Sequence, residues 1–129
     1  MRRISSGGPW EDVVGYSRAV VAGPWVLVSG STSVVDGEVL HEGDAYAQTL
    51  EAFGVVRRAL EQAGLALEDV VRTRMYVSDI STQDAVGRAH RELFEHVRPA
   101  ATMVEVSRFV DPRMLVEVEA DAYRPEVRA

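Results

Sequence analysis

Leu115–Ala122, LVEVEADA, alternates without a break. Val116, Val118, Ala120 and Ala122 fall on one side, and Glu117, Glu119 and Asp121 on the other. Successive side chains of an extended strand point to opposite faces, so the run predicts a strand with one core face and one acidic face. Three carboxylates spaced roughly 7 Å apart along that face repel one another unless water or a partner screens them. The simplest account of Glu119 and Asp121 is a solvated sheet face. Glu117, nearest the start of the strand, is the candidate for chemistry.

The rest of the chain can be read in the same terms. Residues 1–14 are punctuated by Gly, Ser and Pro and are expected to form a poorly ordered or surface lead-in. Tyr16–Val21 and Trp25–Ser29 read as strands joined by a Gly23-Pro24 turn, a hairpin pattern. Asp36-Gly37 between two short apolar runs is the signature of a type I′ turn. Asp44 can cap a helix that runs to about Ala63 and stops at Gly64. Tyr46, Leu50, Phe53, Val56 (or Val55), Leu60 and Ala63 recur at helical spacing and predict its buried stripe. A strand over Val70–Val77 should place Val71, Thr73, Met75 and Val77 on one face, with Arg72, Arg74 and Tyr76 on the other. Ser81 or Thr82 is expected to cap a second helix reaching about His96, with Ala85, Val86, Ala89, Leu93 and Val97 inward, before Arg98-Pro99 ends it. Ala101–Val106 reads as a strand, Asp111-Pro112-Arg113 as a turn, and the tail after Arg124-Pro125 as polar and frayed.

The predicted order is β-β-α-β-α-β-β, a single α+β domain over residues 1–129, built as a two-layer sandwich with both helices on one face of the sheet. Trp25–Ser29 is apolar on both of its faces, whereas two helices cover only one. A second copy of the chain is the economical cover for the other, so the pattern predicts an obligate homo-oligomer.

Composition narrows the chemistry. The chain has no cysteine, which excludes a thiol nucleophile, a thiolate zinc site and disulfides. Every one of its 14 basic residues is arginine, so a lysine Schiff base is excluded too. The formal net charge of −6 does not suit a phosphate-binding surface, and nucleic acid is not an expected partner. No apolar run is long enough to span a membrane, and Arg2-Arg3 is followed by no apolar signal region, so a cytoplasmic location is expected. His90 and His96 are six apart and do not share a helix face, so no metal site is predicted. Ser29-Gly30-Ser31 is not a nucleophile elbow, and no phosphate-cradling or dinucleotide glycine motif is present. What remains is a pocket of backbone groups, hydroxyls and carboxylates. Glu117, Tyr16, Arg74 and Tyr76 are its candidate side chains, and an ion pair with a carboxylate of Leu115–Ala122 is the plain structural role for Arg74.

Several segments together resemble a known family: Tyr16, VLVSGST (26–32), EQAGLALEDVVRTRMYVSDI (61–80), ELF (92–94), RPAATMVEV (98–106) and VEVEADA (116–122). They are similar to the Rid/YjgF reactive-intermediate deaminases, also called the L-PSP endoribonuclease family, over about residues 14–123. The resemblance implies a chorismate-mutase-like fold and a homotrimer whose sheets line an inner barrel, with clefts between subunits. It implies cofactor- and metal-free hydrolysis of small enamines and imines to keto acids and ammonia. It assigns water handling to Glu117, an aromatic wall to Tyr16, and backbone and hydroxyl contacts to Ser29, Gly30, Ser31 and Thr102. The family's arginine, which clamps the substrate carboxylate, falls on Ala101. An asparagine common in deaminase members falls on Gly87, and a glutamine after the Ser-Gly turn falls on Ser31. Losing a desolvated charge pair costs about 2–5 kcal/mol, so ordinary imino acids are not expected to be good substrates. Arg74, or failing that Arg18, is the candidate for a relocated positive charge. A non-catalytic small-molecule-binding trimer is the alternative implied by the same departures, and a ribonuclease is the weakest.

Overall fold

The structure is a computed structural model that describes residues 1–125. The chain runs β1 (Arg2–Ile4), α1 (Pro9–Val14), β2 (Ala19–Ala22), β3 (Trp25–Ser31), β4 (Val34–Val35), β5 (Glu38–Val39), α2 (Ala45–Gln62), β6 (Val70–Val77), α3 (Gln83–Phe94), β7 (Ala100–Glu105) and β8 (Val116–Tyr123). Six strands form one sheet in the order β1-β2-β3-β8-β6-β7, and β4–β5 is a separate ribbon. Every sheet pairing is antiparallel except β6–β7. Both β3 and β6 run antiparallel to β8, so they are parallel to each other, and α2 and α3 are the crossovers β3-α2-β6 and β6-α3-β7. This is the α+β sandwich expected, with a chorismate-mutase-like arrangement.

β8 is the middle of the core. Val116, Val118, Ala120 and Ala122 are each fully buried on the helix-covered face together with Val26, Val28, Thr73, Met75 and Val77. The alternation of LVEVEADA therefore translates directly into a sheet with one helix-covered face. Among the described residues, nothing covers the opposite face. Trp25, Leu27 and Tyr123 are 42%, 45% and 39% exposed there, with the Trp25 and Tyr123 rings in edge contact at 4.9 Å.

Four expectations need correction. Residues 1–14 are not an irregular lead-in. β1 adds an edge strand by pairing Arg2–Ile4 with Val21–Ala19, and α1 is a short helix begun by Pro9 and ended by Gly15 at φ 89°. The Gly/Ser run is the connection between them, and the buried Glu11 carboxylate fastens it by accepting from the Ser6 backbone N–H (3.0 Å) and hydroxyl (2.6 Å). Those bonds hold the carboxyl of Glu11 below its usual range against the opposing effect of burial, the largest single influence on it.

The buried stripe of α2 is rotated from the one predicted. Tyr46 and Leu50 are only half-buried, while Ala45, Gln48, Thr49, Ala52, Phe53, Val56, Ala59 and Leu60 face the sheet. Small residues let the helix lie close to β8, and Gln48 is buried because its amide bonds the backbone. Its Oε1 accepts from Leu115 N–H (2.8 Å), and its Nε2 donates to the carbonyls of Arg113 (2.9 Å) and His41 (3.3 Å). Thr82 stands at the N-cap position of α3, as expected, but its side chain makes no capping hydrogen bond. Asp79 accepts from Ser81 N–H (2.9 Å) and starts a 3-10 turn at Ile80–Thr82, and the helix ends at Phe94 rather than His96. Val71, expected inward, is 41% exposed because the register of β6 against β8 shifts between Val70 and Arg72.

The turns follow the sequence. Gly23 (φ 59°) closes the β2–β3 hairpin, and Asp36 (φ 50°) with Gly37 (φ 81°) closes β4–β5 in the left-handed conformations of a type I′ turn. The Asp44 side chain caps α2 through Ala47 N–H at 3.0 Å. The frayed tail predicted beyond Pro125 lies outside the described residues.

Gln48→Leu keeps the volume of residue 48 but strips partners from Leu115 N–H and Arg113 C=O just before β8. Unsatisfied buried polar groups cost about 1–3 kcal/mol each. Urea unfolding of this variant is expected to show a loss of about 3 kcal/mol with an unchanged m-value.

Candidate functional site

The acidic face of β8 is not a row of bare carboxylates. Arg74 on β6 pairs with Asp121 (Nη1–Oδ2, 3.2 Å), and the Tyr76 hydroxyl donates to Glu119 Oε1 (2.7 Å). The Glu119 hydrogen bond, burial and the nearby negative charges of Glu119 and Glu117 raise the Tyr76 pKa, with Arg74 opposing. Glu117 stands apart. Its register partner is Tyr76, yet among the described residues no group donates a hydrogen bond to it. Burial, and then the charge of Glu119, push its pKa above 4.5, while the Arg18 cation pulls it down.

The place Glu117 occupies is made by an irregularity in β3. Val28 pairs with Ala120 and Ser31 with Val118, so β3 spends three steps where β8 spends two, a β-bulge at Ser29–Gly30. Bulges bend a strand and re-aim its neighbours. Here the Cα of Gly30 lies against the Glu117 carboxyl: a Cβ built on Gly30 would fall 2.5 Å from Oε2 and 3.0 Å from Cδ. Residue 30 must therefore lack a side chain for Glu117 to sit in the bulge.

Arg18, just before β2, fixes the bulge from the other side. Its Nη1 donates to Gly30 O (2.6 Å), Ser31 Oγ (3.0 Å) and, at the limit of contact, Ser29 O (3.5 Å). Its Nη2 approaches the Tyr16 hydroxyl at 3.4 Å, and the guanidinium lies 5.6 Å from the Tyr16 ring centroid. The Ser29 hydroxyl donates to Ser17 O (2.6 Å) and the Ser31 hydroxyl to Ser29 O (2.9 Å). Tyr16, Ser29, Gly30, Ser31 and Glu117 are thus gathered at one place, with Arg18 at its centre. The sequence named Arg18 only as a fallback. The signal for it was its position two residues after Tyr16, on the segment that pairs with the Ser-Gly turn.

Arg74, Ala101 and Thr102 are elsewhere. Arg74 is engaged with Asp121 and is not a free cation facing Glu117, which matches the plain structural role. Ala101 pairs with Thr73, a helix-side residue, whereas Glu117 pairs with Tyr76 on the uncovered side. Ala101 and Glu117 therefore lie on opposite faces of the sheet. Thr102 pairs with Arg74 on the uncovered face, where its hydroxyl meets Arg72 at 3.2 Å. Gly87 on α3 has open space where a side chain would begin.

The histidines are dispersed. His90 is packed on Phe53 and Phe94 and bonded to the buried Thr73 hydroxyl at 2.8 Å, and its burial lowers its pKa. His41 pairs with Glu51, and His96 is exposed. Among the described residues there is no group of three or more metal-ligating side chains, and no helix is long and apolar enough to cross a membrane.

An α+β sandwich of this topology is the fold of a recognised family of small proteins. The chain matches the family model described as Endoribonuclease L-PSP over residues 10–124, and it belongs to this family, also known as Rid/YjgF. It is 47% identical over 127 residues to an uncharacterised Streptomyces coelicolor protein, covering 98% of this chain and 95% of that one. A protein of Acinetobacter baylyi named 3-aminoacrylate deaminase RutC is 32% identical over 109 residues, 84% of this chain and 86% of its own. Among solved structures, a Mycobacterium tuberculosis member of the YjgF/YER057c/UK114 family superposes with a TM-score of 0.87 at 48% identity, covering 95% of this chain and 98% of that one.

Two outcomes follow from this geometry. Gly30→Ala pushes the flexible end of Glu117 out of the bulge rather than breaking the backbone. Its stability cost should stay below about 1 kcal/mol, under the usual range for overpacking a rigid core. Carboxyl NMR should show the Glu117 pKa falling toward 4.5, the ordinary value. Glu117→Gln removes a carboxylate that is desolvated when ionised. Because the folded-state pKa is raised, Glu117 favours the fold at pH below its unfolded pKa, and this contribution is lost as pH rises through the folded pKa. At pH 7 the variant is expected to be as stable as the parent or more so, by up to about 1 kcal/mol. That advantage should shrink on acidification in paired thermal or urea unfolding.

Proposed function

We propose that this chain is a Rid-type hydrolase of a small enamine, imine or related carbonyl-derived metabolite, with Glu117 holding or activating the attacking water. The observation that carries the reading is the seat of Glu117: a half-buried carboxyl with a raised pKa, no donor among the described residues, and a glycine cleared to admit it. Hydrolysis of an imine adds water to the C=N carbon and expels ammonia. One group must accept a proton from water and return one to the departing nitrogen. A carboxyl whose pKa is raised by burial is better placed to act in both directions. The relative named 3-aminoacrylate deaminase supports the substrate class.

In the proposed assembly the chain is a homotrimer in the cytoplasm, and Ala101 of one copy approaches Glu117 of another. A single chain keeps these residues on opposite faces of its sheet, so a cleft containing both needs two copies. The uncovered Trp25, Leu27 and Tyr123 supply apolar surface for such contacts. No cofactor is required for this chemistry. Ala101 and the engagement of Arg74 with Asp121 favour a second reading, a trimer that binds a small molecule without turning it over. The acidic balance of −6 disfavours a nuclease.

The test pairs light scattering with turnover. Freshly generated 2-aminoacrylate and 3-aminoacrylate are supplied, and ammonia and carbonyl products are followed. A trimer is expected, with product release faster than in buffer for at least one enamine, and a loss of about 100-fold or more in Glu117→Gln. Rates equal to buffer across the panel would leave the binding reading, and a stable monomer would defeat the shared cleft.

A further inference from the structure

Arg18 is only 9% exposed, yet among the described residues no carboxylate oxygen lies within 4.0 Å of its guanidinium. Its Nε is buried without a hydrogen-bond partner among those residues. A buried cation with no direct ion pair carries an uncompensated desolvation cost. What it receives instead is a set of neutral acceptors from the functional site: Gly30 O, Ser31 Oγ, Ser29 O and the Tyr16 hydroxyl.

We infer that Arg18 is a positioning residue for Glu117 and Tyr16. Its guanidinium holds the Ser29–Gly30 bulge in the shape that seats the Glu117 carboxylate, and its charge sets the electrostatic field there. It also occupies the acceptor side of the Tyr16 hydroxyl. A phenol that accepts from a guanidinium keeps its own proton for a ligand, so Arg18 leaves Tyr16 as a donor into the cleft. Ser31, by contrast, both accepts from Arg18 and donates to Ser29 O, so its hydroxyl is committed to the bulge.

The charged and titratable groups around Glu117 divide by element. Glu119 comes from its own strand, and Tyr76 from β6 is bonded to that Glu119. Arg74 on β6 is paired with Asp121, and the bulge of β3 presents the uncharged Gly30. Arg18, preceding β2, is thus the cation that acts on Glu117, and it also reaches the buried Glu11. Removing its charge leaves Glu117 with burial and Glu119, both of which favour the protonated form.

The inference rests on Glu117 being the working group, but its test reads titration rather than turnover, so it stands or falls separately from the hydrolase reading. Carbon-detected NMR of the intact protein follows the Glu117 carboxyl with pH, and nitrogen NMR follows Arg18 Nε. In the parent, the Arg18 Nε resonance is expected to shift with the same midpoint as Glu117 and to lose that step in Glu117→Gln. Arg18→Gln is expected to move the Glu117 midpoint upward, and Arg18→Lys, which keeps the charge but not the fork, to restore most of it. A merely structural arginine would lower the melting temperature in both variants and leave the midpoint in place, which overturns the inference. Should Arg18→Gln not fold, an Arg18 Nε signal in the parent that ignores the Glu117 titration overturns it alone.

Discussion

The extra residue that β3 carries against β8 at Ser29–Gly30 is the constraint on which the site depends. Without it, β3 would continue in register past Val28, and Gly30 would not be laid against the carboxyl of Glu117. The bulge is in turn fixed by groups that are not on β3. Arg18 grips its carbonyls, and the Ser29 hydroxyl is tied to Ser17 O. Tyr16 is held by α1, whose last turn accepts from Tyr16 N–H through Glu11 O at 3.1 Å, and Arg18 follows two residues later. The N-terminal segment is therefore part of the site's foundation, although it contributes no side chain to the proposed chemistry.

A sheet with one face against helices must do something with the other. Here that face is neither polar throughout nor apolar throughout. Near β3 and the end of β8 it presents Trp25, Leu27 and Tyr123, and across β8 and β6 it presents paired charges and a tyrosine–carboxylate bond. Paired and hydrogen-bonded charges lose less on desolvation than bare ones. Such a surface tolerates burial against a like surface while its unpaired member, Glu117, remains available. The same pairing explains why Arg74 is unsuited to replace the arginine missing at Ala101: moving it toward a ligand would leave Asp121 without its partner.

The sequence revealed the fold more fully than the site because each rests on a different kind of signal. Period-two and period-3.6 patterns identify β8, β6, α2 and the hairpin turns from local residues, and those elements stand where expected. The pattern failed where polar atoms are buried for backbone reasons. Gln48 breaks the apolar stripe because it serves Leu115 and Arg113, more than sixty residues away. It failed again at residues 1–14, where Gly and Ser suggest disorder but one buried carboxylate, Glu11, organises the turn. For the site, the resemblance singled out Glu117, Tyr16 and Ser29–Ser31, and the fold gathers these. Arg18 could not be ranked above Arg74 from spacing alone, because register across β2, β3 and β8 decides which of the two sits beside Glu117.

That ranking bears on what the loss of arginine at position 101 means. A clamp at that position would come from the β6–β7 edge and, on the proposed assembly, from another copy. Arg18 comes from the same chain as Glu117 and is already saturated on Nη1 by the bulge. Its other edge is closed because Nε is buried, so a ligand carboxylate could meet a bidentate fork only by displacing the bonds that seat Glu117. The positive charge at this site is therefore better suited to holding the acid in place than to holding the substrate. If the proposed hydrolase reading holds, the ligand would be recognised without a carboxylate clamp from Arg18, and neutral or weakly charged imines are the substrates to test.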